Sequence, residues 1–211
     1  MPLQESTAER SAPTDRPSAA NAVLVSLAAG LLVGALTSPL QGWLADSASS
    51  LANSAGTWSL VAFLVARRSP NPAVGALVGA VTLAMCELGY VLATEVRGGS
   101  NATSTVAFWI AAAILAGPPL GVAALWSRAS HPLRLGAGFG VISGVLFGEG
   151  IYGLTKISDT TDWRYWSVEI AVAAGIVCWA ALRNRSGRVI GSCIAVAGAA
   201  AVVVYAAAIS A

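Results

Sequence analysis

Charge is what this sequence lacks most. Only 10% of its 211 residues are Asp, Glu, Lys or Arg, against 56% hydrophobic, and mean hydropathy is +0.71. Soluble domains carry roughly 25% charged residues, so most of this chain is expected in lipid, where spans of about 20 apolar residues become the unit of structure. Lysine is nearly absent, Lys156 standing alone beside eleven arginines, and no basic cluster exceeds a short loop. That gives nucleic-acid binding no support. His131 is the only histidine, which excludes haem held by two histidines and histidine-rich metal sites. Cys86, Cys178 and Cys193 lie inside apolar runs without CxxC spacing and read as small packing residues.

Catalytic patterns are missing too. The last apolar run, 188–208, has no lysine for a retinal Schiff base, no HExxH occurs, and no aspartate falls within a span. Gly140-Val-Ile-Ser143-Gly144 has the look of an intramembrane serine site, but no membrane histidine is present to activate Ser143. The expectation is therefore no enzyme, no catalytic residue, no metal and no cofactor.

What is present is a series of apolar runs behind a polar tail. Residues 1–20 are rich in Pro, Ser and Thr with both signs of charge, and read as a disordered cytoplasmic tail. Residues 21–211 read as one transmembrane helical domain. The first run starts near Ala22 and is too long for a cleavable signal core. Seven spans are predicted, at 22–44, 48–66, 73–95, 104–126, 134–154, 165–183 and 188–208. The second is the weakest, because only Gly56 to Ala66 is strongly apolar. It must recruit Ser49, Ser50, Asn53 and Ser54, which would face the bundle interior.

Loop charges set the orientation. One side collects Arg10, Arg16, Arg67, Arg68, Arg128, Arg134, Arg183, Arg185 and Arg188; the other has only Arg97, Lys156 and Arg164. Cations mark the cytoplasmic side, which puts the N-terminus inside and the C-terminus outside. The fold class is thus all-α, a polytopic bundle of seven transmembrane helices in the cell (plasma) membrane. Trp43, Trp109, Tyr152, Trp163, Tyr165 and Trp166 lie near the outer ends of spans. They read either as an interfacial aromatic belt or as pocket walls for a flat or cationic ligand.

Depth then singles out three carboxylates. Glu87 falls past the midpoint of the third span, Glu149 near the outer end of the fifth, and Glu169 about a turn below the outer surface in the sixth. A carboxylate at mid-span costs roughly 2.5–3.5 kcal/mol on insertion scales. Such groups persist where they line a wet cavity, pair with cations or bind protons. Each has an aromatic neighbour within a turn: Tyr90 for Glu87, Tyr152 for Glu149, and Tyr165 and Trp166 for Glu169. A solute or proton site and structural hydrogen bonding both remain open readings.

Two further features bear on packing. Gly136, Gly140, Gly144 and Gly148 repeat at every fourth position of the fifth span, with shorter versions at Gly75/Gly79 and Gly30/Gly34. Close helix packing within the chain and docking of a partner are the alternatives. Gly117-Pro118-Pro119 is expected to interrupt the fourth span, freeing the carbonyls of Ile114 and Leu115.

Leu51-Ala52-Asn53-Ser54-Ala55-Gly56-Thr57-Trp58-Ser59-Leu60-Val61-Ala62-Phe63-Leu64 resembles a stretch from a family of uncharacterised actinobacterial, hence bacterial, multi-pass membrane proteins. The resemblance implies an integral membrane protein without an assigned activity, and adds Asn53, Gly56 and Trp58 to the residues of interest. In architecture alone, the chain is also similar to the substrate-binding subunits of energy-coupling-factor transporters, which usually have six spans.

The reading is a small membrane protein that binds or transports a cationic or proton-coupled solute at an outward-facing site of Glu87, Tyr90, Glu149, Tyr152, Trp166, Glu169, Asn53 and Trp58. The alternative is a non-transporting scaffold or accessory subunit that packs against partner helices, or a second copy, through its glycine faces. The lipid bilayer is the partner common to both.

Overall fold

Eight helices and no strand make up the computed structural model, which describes residues 18–52 and 54–210. They are α1 (Ala19–Trp43), α2 (Asp46–Ala52), α3 (Ala55–Ala66), α4 (Pro72–Val96), α5 (Thr103–Trp126), α6 (Pro132–Lys156), α7 (Trp163–Asn184) and α8 (Gly187–Ser210). Six of them, α1 and α4 to α8, are long and apolar enough to cross a membrane. Residues 1–17, most of the expected tail, lie outside the described residues, and α1 starts at Ala19.

Local sequence sets the helix starts. Ser18, Ser54, Asn71 and Asp162 each accept a backbone N–H of the first turn that follows, at 2.7–3.1 Å. These are the short polar side chains that satisfy the unpaired amides of a helix start. Pro72 and Pro132 follow caps at the first helical position, where no amide donor is needed.

The weak second span is divided into two helices, α2 and α3, on either side of residue 53. At about 1.5 Å per residue, the 12 residues of α3 cover only about 18 Å, short of the ~30 Å hydrocarbon thickness. Its N-terminus therefore ends inside the bundle. The apolar helix α3 packs against α1, α4, α5 and α6, while α2 touches α1 and α7.

Glycines bring the long helices together. A Cβ at Gly136, Gly140, Gly144 or Gly148 of α6 would meet the backbone of Val189, Cys193, Ala197 and Ala201 in turn, so α6 and α8 run parallel in close contact. Gly30 and Gly34 of α1 lie on Thr82 and Cys86 of α4, also in parallel, and Gly75 and Gly79 of α4 face Gly121 and Gly117 of antiparallel α5. The glycine faces noted in the sequence are thus filled by this chain's own helices, as close-approach packing requires.

The expected interruption at Gly117-Pro118-Pro119 does not occur: α5 is helical throughout Thr103–Trp126. The prolines leave only the carbonyls one turn back without donors, and Ile114 and Leu115 are on the exposed face. Gly117 and Gly121, on the opposite face, lock α5 onto α4. The break that the bundle does contain is the one at the head of α3.

Candidate functional site

An N-terminus buried in a bundle must have its amides satisfied. At α3 each of the first amides has an identified acceptor. Ala55 N–H donates to Glu149 Oε1 at 2.9 Å, and Gly56 N–H donates to Glu149 Oε2. Thr57 N–H donates to Ser54 Oγ at 3.1 Å, and Trp58 N–H to the Ser54 carbonyl at 3.2 Å. Glu149 comes from α6, so a carboxylate of one helix serves as the anionic cap of another, where the helix dipole favours negative charge.

Glu169 of α7 joins the same point. Ser54 Oγ donates to Glu149 Oε2 at 3.0 Å and lies 3.5 Å from Glu169 Oε1. Gly56 makes the convergence possible: a Cβ there would collide with Glu169 Oε1 and lie 2.6 Å from Glu149 Oε2. The Thr57 hydroxyl is 3.1 Å from that of Tyr165, one turn before Glu169. Glu169 Oε2 is buried and makes no hydrogen bond among the described residues.

Glu87 lies elsewhere. It is 3% exposed on α4 and has no hydrogen-bond or ion-pair partner among the described residues. By helical rise it is about 22 Å from the Pro72 end of α4 and about 14 Å from the other. It faces a cavity of about 260 Å³ whose lining includes Ser54, Trp58, Tyr90, Asn101 and Trp109. The Trp58 and Tyr90 rings are 6.4 Å apart, and Trp58 is fixed from behind by its Nε1–H donating to Thr37 Oγ1 at 3.3 Å. Arg97, at the C-cap of α4 and not in the cavity lining, is engaged with the Ser38 carbonyl and, at 3.1 Å, its hydroxyl.

The residues expected to form one vestibule are therefore divided. Glu87, Tyr90 and Trp58 line the cavity, whereas Glu149 caps α3 and Glu169 meets it at the Ser54 hydroxyl. Tyr152 turns to α8, its ring 6.4 Å from that of Tyr205. Trp166 is a buried wall over Gly153, with Nε1–H donating to Thr161 Oγ1 at 2.8 Å. Asn53 lies outside the described residues. The cause of the division is the buried end of α3, whose amides draw Glu149 to them.

Sequence reasoning missed Ser54 as the residue common to both places, and Asn101 and Thr105 as cavity lining, whereas Trp109 was among the aromatics offered as pocket walls. Ser54 carried a legible signal, a short polar residue immediately before the apolar run Ala55–Ala66. Asn101 and Thr105 carried none, because their contribution depends on where the α4–α5 connection folds. Among the described residues, no three or more His, Cys, Asp or Glu side chains gather as a metal-ligand group.

Long apolar helices packed through glycines, with carboxylates turned inward, define a multi-pass integral membrane protein. The chain belongs to the Family of unknown function (DUF6518), whose family model matches residues 13–211. No curated protein and no solved structure matches the chain.

Proposed function

We propose that this protein binds or transports a small cationic solute at the Glu87 cavity, with binding and not catalysis as its activity. In this reading it sits in the plasma membrane with seven crossings, α2 and α3 together forming the second. The N-terminus is cytoplasmic, so the cavity faces outward. The observation that carries the reading is Glu87 itself, a buried carboxylate with no partner among the described residues, directed at a cavity walled by Trp58, Tyr90 and Trp109. A carboxylate inside a membrane bundle needs a counter-charge, and aromatic faces attract cations, substituted ammonium groups above all. The volume is below the ~300–1,000 Å³ of drug-sized ligand sites, which favours a small solute. Ser54 lines this cavity and also contacts the Glu149–Glu169 pair. Two carboxylates so close accommodate a shared proton or a cation, which supports coupling of solute binding to protons.

The scaffold alternative loses support, because the glycine faces on which it rested are occupied within the chain. The test is thermal unfolding of detergent-purified protein in a panel of small ammonium and alkali cations. At least one ammonium cation is expected to raise the wild-type midpoint and to leave Glu87→Gln unmoved. Since Glu87 makes no hydrogen bond or ion pair among the described residues, the variant itself should keep its stability within about 0.5 kcal/mol. Equal stabilisation of both proteins by the same cation would remove Glu87 from the role.

A further inference from the structure

A second polar cavity lies at the opposite end of the bundle. It has a volume of about 220 Å³, and its lining includes Arg67, Arg128 and Arg183, with Ser127, Phe139 and Trp179. The arginines come from three separate places: the C-cap of α3, the turn after α5 and the last turn of α7. Three guanidinium groups around one cavity repel one another unless an anion joins them, since Arg stays charged in proteins.

No protein anion does so among the described residues. The one ion pair found there is Arg164–Asp162, at the other end of α7. From residue 18 onward, the acidic residues other than Glu87, Glu149 and Glu169 lie toward the far side: Asp46 at the start of α2, Glu95 in the last turn of α4, and Asp159 and Asp162 between α6 and α7. The arginines are also poorly satisfied by neutral groups. Arg67 Nε is buried without a hydrogen-bond partner among the described residues, and Arg128 reaches the Ser69 carbonyl at only 3.4 Å. The Arg183 guanidinium lies 5.1 Å from the centre of the Trp179 ring, whose edge-on partner is Phe139 at 5.2 Å. The cavity is thus cationic on one side and apolar on the other.

We propose that Arg67, Arg128 and Arg183 form a binding site for a phosphoryl anion. Guanidinium forks match phosphate oxygens in pairs, and three of them around one cavity suit a tetrahedral group with several acceptors. The Phe139–Trp179 wall, with Leu135 also in the lining, suits a phosphate that carries an acyl chain. Basic pockets between membrane helices take up anionic lipid headgroups in this way. The headgroup of an anionic phospholipid and free phosphate share the chemistry, and the site does not depend on the Glu87 reading.

The test uses the full chain in phosphatidylcholine–detergent micelles, titrated separately with phosphatidylglycerol and with inorganic phosphate. Thermal stabilisation and lipid retained in native mass spectrometry are the readouts. Arg128→Gln and Arg183→Gln are each expected to bind phosphatidylglycerol about fivefold more weakly than wild type, with Arg188→Gln, outside the cavity, unchanged. Both positions are exposed, so these variants are expected to fold even if Arg67→Gln does not. Phosphatidylglycerol acting alone assigns the occupant to lipid; inorganic phosphate acting with the same arginine dependence assigns it to the free anion. Unchanged binding by both variants would overturn the site. So would an equal loss in Arg188→Gln, which would mean a diffuse basic rim.

Discussion

Glu149 on α6 and Ser54 at the head of α3 are 95 residues apart in sequence and 3.0 Å apart in space. Their contact closes the buried N-terminus of α3. Glu149 takes the amides of Ala55 and Gly56, and Ser54 takes that of Thr57.

Replacing Glu149 separates charge from hydrogen bonding. Glu149→Ala leaves two buried amides without acceptors, at about 1–3 kcal/mol each. Glu149→Gln keeps one oxygen and should lose about half as much. Thermal midpoints in detergent are expected in the order wild type, Gln, Ala. A Gln variant as unstable as Ala would mean that the negative charge at the helix start outweighs the acceptors.

Gly56 tests the convergence of the carboxylates. Gly56→Ala puts a methyl where Glu169 Oε1 already sits, and overpacking of this kind costs about 1–3 kcal/mol. A second variant, Gly56→Ala with Glu169→Ala, should recover part of that loss. No recovery would show that the methyl acts on something other than Glu169.

The α6–α8 contact makes a sharper contrast. A Cβ at Gly144 would lie 2.5 Å from the Ala197 carbonyl oxygen and 2.6 Å from Ala200 Cβ, whereas one at Gly175 meets nothing within 4 Å. Gly144→Leu should therefore lower stability by about 1–3 kcal/mol or more. Gly175→Leu should stay within about 0.5 kcal/mol. Unfolding curves of the two variants side by side decide it.

Orientation is open to labelling in intact cells. A cysteine at Ala129 should resist a membrane-impermeant thiol reagent added from outside, and one at Ser158 should react. The reverse pattern would invert the arrangement and turn the Glu87 cavity toward the cytoplasm.

Much of the bundle was legible in the sequence, because hydropathy and length depend on residues close together in the chain. The six long apolar helices fall within a few residues of the predicted spans. Gly136 to Gly148 likewise announced a close helix contact, since a repeat of four keeps one bare face along α6. Two local readings misjudged the backbone. Pro118 and Pro119 were expected to break α5, yet their freed carbonyls lie on its exposed side and α4 holds the other. The true break was hidden in a run read as one span, although Ser54 is an ordinary helix-start residue.

The three carboxylates opened the question of function, and they show where sequence ends. From sequence alone come their rarity, their place along each span, and the aromatic residues a turn away, all matters of order along one chain. Which carboxylate meets which group depends on how α3, α4, α6 and α7 are rotated about their axes, and that is settled by packing between helices. The tertiary structure sends Glu149 to the amides of a buried helix end, brings Glu169 to the Ser54 hydroxyl beside it, and leaves Glu87 in its cavity. The physical reason is that unpaired N–H groups inside a bundle must find acceptors, and only the folded chain decides which carboxylates are near enough to serve.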